Sequence, residues 1–174
     1  MSPSSLPDHV CSIVIRVPVV EVWNEITKTG AVQRPLYNTL LDIDLVPGGR
    51  LRYSSPDRKR VFIAGEVLEV DPPRRLKHTY LFAFKPEAPT VVTWELEEVP
   101  EGTRVTLTHG GWTDEHTTPE KHETAWNEIL GLLKSELETG SIPAKTRFLY
   151  RIQGLFMFAL PKTTKAEYAD EQGW

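Results

Sequence analysis

Cys11, Ile13, Ile15 and Val17 alternate with Ser12, Val14 and Arg16, the period of a strand with one buried face. Pro18 ends that strand, and residues 19–28 read as a short helix burying Val22, Trp23 and Ile26. Gly30 suits the left-handed position that stops it. Residues 31–39 suggest a second short helix, interrupted at Pro35. A meander follows. Leu41, Ile43 and Leu45 alternate with Asp42 and Asp44, Pro47-Gly48-Gly49 turns the chain, and Leu51 and Tyr53 return opposite Arg50 and Arg52. Residues 54–59 form a polar hairpin loop, 61–70 a strand, and Asp71-Pro72-Pro73-Arg74 a turn. Leu76, His78, Tyr80, Phe82 and Phe84 then share a strand face, followed by Val92, Trp94 and Leu96, and after Glu101-Gly102 by Val105, Leu107 and His109.

Beyond Gly110-Gly111 the period changes to that of a helix. Thr118 offers an N-cap, Pro119 a first helical position and Glu120 an early acid. Trp126, Ile129, Leu130, Leu133 and Leu137 recur on one helical face until Gly140. Consecutive antiparallel strands followed by one amphipathic helix predict an α+β domain of about six or seven strands, one sheet face covered by that helix.

Composition narrows the setting. The 174 residues are 40% hydrophobic and 25% charged, ordinary for a globular chain that buries a core. A formal charge of −4 argues against general nucleic-acid binding. Cys11 is the only cysteine, which excludes an internal disulfide and a thiolate metal cluster. Met1 to His9 lack the pattern of a secretion signal, so the expected address is cytoplasmic. Charge divides the chain: residues 1–140 carry 15 basic and 21 acidic side chains, residues 141–174 five and three. We therefore read residues 1–140 as the domain and 141–174 as a basic, apolar C-terminal extension.

Several local sequences point to a family. Val17-Pro18 leading to Val22-Trp23, Pro47-Gly48-Gly49, Gly65-Glu66-Val67, Asp71-Pro72-Pro73-Arg74-Arg75-Leu76, the run from Gly102 to His109, and Ala125-Trp126 before Ile129-Leu130 occur in order. Together they resemble the family related to the activator of heat-shock protein 90 ATPase, within the START-like (SRPBCC) superfamily, over about residues 10–140. The resemblance implies a helix-grip fold: a curved antiparallel sheet around the long C-terminal helix, with an apolar cavity between them. Many relatives place a tryptophan in the short second helix, where this chain reads Gln33-Arg34-Pro35-Leu36-Tyr37.

Strand parity supplies the candidate lining: Tyr53, His78, Tyr80, Phe82, Trp94 and His109 point inward, joined by Trp112 beyond the last strand and Trp126 on the helix. Pockets are mostly apolar with a few polar groups that fix orientation, and His78, Tyr80 and His109 could serve so. Each could equally be a core residue bonded to a backbone carbonyl. His78 and His109 are also the candidates for proton transfer. The segment holding Asp114, Glu115, His116, Glu120, His122 and Glu123 has no established metal-ligand spacing and reads as a solvated loop and helix start. Arg58-Lys59-Arg60 and Arg74-Arg75 read as solvated turns, and no phosphate loop, nucleophile elbow or dinucleotide fingerprint occurs. No metal or other cofactor is expected.

The extension adds residues 144–165, with five basic side chains, no acid, and Phe148, Leu149, Tyr150 and Ile152 ahead of an apolar run at 155–160. Pro143 could start a helix and Pro161 end it. Docking on its own domain or on a second copy is preferred to membrane contact through residues 144–160, because the basic residues only partly share a face. The favoured function is binding of an apolar or lipid-like small molecule. The alternatives are a metal-free cyclase or dehydratase acting on a polyketide in the same cavity, and a regulator of the chaperone ATPase.

Overall fold

A computed structural model describes residues 4–116 and 119–174. Strand β1 (His9–Ile15) is followed by helix α1 (Val19–Ile26), then β2 (Val32–Gln33), β3 (Thr39–Ile43), β4 (Arg50–Ser54) and β5 (Val61–Asp71). β6 (Arg75–Phe82), β7 (Thr90–Val99) and β8 (Gly102–Gly110) precede the long helix α2 (Pro119–Thr139). The chain ends with α3 (Ala144–Leu155), two single turns of 3-10 helix at Met157–Ala159 and Lys162–Thr164, and α4 (Ala166–Glu171).

The eight strands form one antiparallel sheet in the order β1-β8-β7-β6-β5-β4-β3-β2. The sheet curls into a half-barrel whose concave face holds the core, and α2 packs against β1 along that face. Trp126, Ile129, Leu130 and Leu133 of α2 meet Ile15, Leu51, Val67, Leu76, Trp94 and Leu107 from the strands. This is the expected helix-grip arrangement, with one more strand than the upper count from the sequence.

Two irregularities interrupt the pairing of β5. Its pairing slips against β4 between Tyr53 and Ser54, and against β6 between Val67 and Glu69. Each extra residue bends the strand and increases its twist. The first slip also turns Val61 to the convex face while Ile63 stays in the main core. Gly65 of β5 lies against the β6 backbone: a Cβ there would sit 2.1 Å from the Thr79 carbonyl oxygen. Only glycine allows that approach.

Residues 31–39 differ from expectation. In place of a second short helix the chain forms the two-residue β2 and a turn in which Tyr37 and Asn38 adopt positive φ. Pro35 cannot continue a helical hydrogen-bond ladder, and Thr39 Oγ1 donates to the Leu36 carbonyl at 2.7 Å to close the turn. Gln33 is fully buried, its Nε2 donating to the carbonyl of Glu25 at 2.8 Å. Arg34 pairs with Glu136 of α2, so the segment braces helix against sheet. The expected N-cap Thr118 lies outside the described residues, whereas Gly140 stops α2 at φ +75° as expected.

The convex face receives the end of the chain. Ala169 is fully buried against Val61 and Ala64, with Leu81, Ala166 and Trp174 beside them. Arg60, read from the sequence as part of a solvated turn, donates to the Pro161 carbonyl at 3.2 Å and Thr164 Oγ1 at 3.1 Å. Ala166 N–H reaches the Lys59 carbonyl, and Arg52 pairs with Asp170 at 2.7 Å. No helix among the described residues is long and apolar enough to cross a membrane.

Candidate functional site

All eight sequence-derived lining residues face the concave side. Tyr53, His78, Trp94, His109, Trp112 and Trp126 are buried, while Tyr80 and Phe82 are partly buried and pack on the same core. Most of them converge at one end of the sheet, where β6 stops, β7 begins, β8 leaves and α2 enters. Tyr80 lies 4.7 Å from His109 and 5.9 Å from Trp126 between ring centroids. Trp112 lies 4.3 Å from His109, and Trp94 meets Trp126 edge-on at 5.8 Å. Such edge and offset contacts favour the quadrupoles of the rings beyond the area they bury.

His109 is the hub of this cluster. Its Nδ1 accepts the indole N–H of Trp126 at 2.8 Å, which leaves the proton on Nε2, 2.7 Å from Thr90 Oγ1. Thr90 in turn donates to the Tyr80 carbonyl at 3.1 Å, and the His109 carbonyl accepts the Trp112 indole N–H at 2.8 Å. One histidine, through its ring and its carbonyl, thus ties together α2, β6, β7, β8 and the segment beyond β8. Burial and the neighbouring histidines hold its pKa far below the usual range, so it is a neutral ring with both nitrogens bonded.

His78 is different. Its Nδ1–H donates to the Thr79 carbonyl at 2.8 Å, but its Nε2 is buried with no hydrogen-bond partner. Burial lowers its pKa to about 4. Tyr53 and Tyr80 are shifted upward by the same desolvation. His78 and Tyr53 are buried in the same core and take no part in the ring contacts of the cluster among the described residues.

The segment read as a solvated loop and helix start contributes two buried imidazoles instead. His116 Nδ1 accepts the Thr113 N–H at 2.9 Å, and its Nε2–H donates to the Ala88 carbonyl at 2.9 Å, pinning the β6–β7 loop to the β8–α2 loop. His122, on the first turn of α2, packs edge-on against Phe82 at 5.1 Å and Tyr80 at 5.6 Å. Sequence reasoning missed both, His116 because a loop residue carries no periodicity. The one available signal was His122, four residues before Trp126 and therefore on its helical face.

Tyr80, Phe82, Thr90, Trp112, His116 and His122 surround a cavity of about 20 Å³, with Lys85, Glu87 and Ala88 at its rim. That volume admits about one water molecule. Lys85 and Glu87 lie 3.5 Å apart. Among the described residues no three His, Cys, Asp or Glu side chains are grouped as metal ligands. On the convex face, a groove of about 560 Å³ between β3–β5 and α4 is lined by both charge signs, its Arg52 and Arg58 paired with Asp170 and Asp42.

Comparison with known structures places this architecture among bacterial proteins. Protein MLL2253 from Mesorhizobium loti superposes with a TM-score of 0.63 at 22% identity, over 76% of this chain and 97% of its own. CalU16 from Micromonospora echinospora gives 0.60 at 22% identity over 88% and 87%. DynU16, described as a putative protein in the dynemicin biosynthetic locus, gives 0.64 at 22% identity over 78% of this chain and 48% of its own. No curated protein matches the chain significantly by sequence. The family model described as "Activator of Hsp90 ATPase homolog 1-like protein" matches residues 16–138, from the end of β1 through α2, and the chain belongs to that family.

Proposed function

We propose that the domain binds an apolar or amphipathic small molecule at the ring cluster between the end of the sheet and the start of α2. The observation that carries this reading is the lining of the small cavity: the rings of Tyr80, Phe82, Trp112, His116 and His122, together with Thr90, Ala88, one ammonium and one carboxylate. Ligand sites combine such apolar walls with a few polar groups that set orientation. The cavity has room for about one water, so binding a larger molecule involves an outward shift of the β6–β7 loop and the first turn of α2. The His116–Ala88 hydrogen bond is the latch between the two loops. A similar structure's assignment to a biosynthetic locus accords with a small-molecule role.

The cyclase or dehydratase alternative receives less support from the same geometry. A general base needs an accessible lone pair, and both His109 nitrogens are committed while His78 is sealed in the core.

Native mass spectrometry of freshly purified protein, followed by denaturation and identification of released compounds, tests the proposal. The expected result is a stoichiometric organic ligand, or in its absence a saturable change in tryptophan fluorescence with a planar apolar probe. A ligand-free mass together with fluorescence indifferent to the probe would remove the proposal.

A further inference from the structure

Helix α3 is amphipathic, but its apolar stripe faces away from the protein. At about 100° per residue, Phe148, Leu149, Ile152, Leu155 and Phe156 fall within an arc of about 120°. All five are exposed, Phe148 at 62% and Leu155 at 72%, and Phe158 in the following 3-10 turn reaches 79%. The opposite side carries Thr146, Tyr150 and Met157, which are only partly buried. Tyr150 contacts Tyr37 of the body edge-on at 6.3 Å.

The helix is not a loose end. Before it, Ile142 is buried and Ser135 Oγ donates to the Ser141 carbonyl at 2.8 Å. After it, Thr164 and Ala169 are fully buried and Arg60 grips the chain at Pro161 and Thr164. The apolar stripe is therefore held outward by anchors on both sides.

Charge selects the occupant. Residues 144–165 carry Lys145, Arg147, Arg151, Lys162 and Lys165 and no acid, within a chain of net charge −4. Among the described residues, none of these five cations has an ion-pair partner. Arg151 and Arg147 lie about 40° and 80° beyond one edge of the apolar arc, and Lys145 falls within the arc at the N-terminal end of the helix. A two-fold dimer through this stripe would bring the cations of both copies together, an unfavourable like-charge contact. An anionic lipid surface accepts both features at once, taking the apolar side chains below its headgroups and the cations at their level.

We infer that α3 and the following 3-10 turn form an interfacial docking element for an anionic membrane surface. The stripe supplies insertion, the unpaired cations supply charge selection, and the anchored tail fixes the domain's orientation on the surface.

Vesicle flotation of the full chain tests this, using phosphatidylcholine alone and phosphatidylcholine mixed with phosphatidylglycerol. The protein is expected to float with the mixed vesicles and not with the neutral ones, and to be released by salt. Replacing Phe148, Leu155 and Phe158 by Ser is expected to abolish flotation without changing the thermal midpoint, because these side chains are exposed. Replacing Lys145, Arg147 and Arg151 by Gln is expected to weaken partition by about fivefold per cation removed. Failure to float with anionic vesicles overturns the inference. So does equal binding to neutral ones, or self-association in sedimentation velocity that the serine variant abolishes.

Discussion

The ring cluster beneath α2 and the outer face of α3 are both rich in large apolar side chains, and they dispose of them in opposite ways. In the cluster, ring meets ring at 4–6 Å and the indole N–H groups of Trp112 and Trp126 both find acceptors on one histidine. In α3 no residue is buried. The first arrangement contributes to stability through packing and fully paired polar groups. The second contributes little to the fold, because the area it could bury remains in water. The difference separates a region whose apolar side chains find their partners within the fold from one whose apolar side chains stay in water.

The largest test of that contrast is truncation in the cluster. Trp126→Ala should destabilise the fold by about 3–5 kcal/mol in urea denaturation, since it removes a buried indole and leaves a cavity. A loss below about 1 kcal/mol would show that the cluster is not part of the cooperative core. His109→Leu should cost about 2–3 kcal/mol, because the Trp126 N–H and the Thr90 hydroxyl each lose a buried partner. An unchanged denaturation midpoint would contradict the hub.

The pH dependence sharpens the comparison from another side. His78 and His109 are held neutral in the folded state below the ordinary histidine range, so the unfolded chain takes up protons first as pH falls. Stability should therefore be intact above about pH 6.5 and decline below it, by up to about 1.4 kcal/mol per pH unit for each histidine. For His78 the decline should level off near pH 4. His78→Phe should flatten part of this profile, whereas stability that holds constant from pH 7 to 4.5 would contradict the buried neutral assignment. The smallest expected effect is at α3: Phe158→Ser should shift stability by less than about 0.5 kcal/mol. A larger loss would mean that the stripe packs on the domain after all.

How far these features were legible in the sequence follows from the physics of each element. His78, Tyr80 and Phe82 on β6, Trp94 on β7 and His109 on β8 were placed inward by alternation alone, because a period of two maps directly onto sheet faces. Trp126 followed from helical spacing in the same way. Alternation fails at β5, where two register slips change the parity and send Val61 to the convex face. It is silent at β2, since two residues define no period. His116 is buried by a loop-to-loop hydrogen bond to Ala88, a contact between residues 28 apart that no local pattern encodes. In α3 the periodicity was visible but its direction was not. An apolar stripe ordinarily turns toward the core, and only the tertiary anchors at Ile142 and Thr164 reveal that this one turns outward.

The central claim, that the ring cluster is the ligand site, is tested most directly by following the indole N–H signals of the five tryptophans by NMR during titration with anilinonaphthalene sulfonate. The titration should use the variant with Phe148, Leu155 and Phe158 replaced by Ser, so that the exposed stripe does not compete for the probe. The account predicts saturable, one-to-one shifts at Trp112 and Trp126, with Trp23 and Trp174 unmoved. Shifts confined to Trp174 or Trp23, or none that saturate, would contradict it.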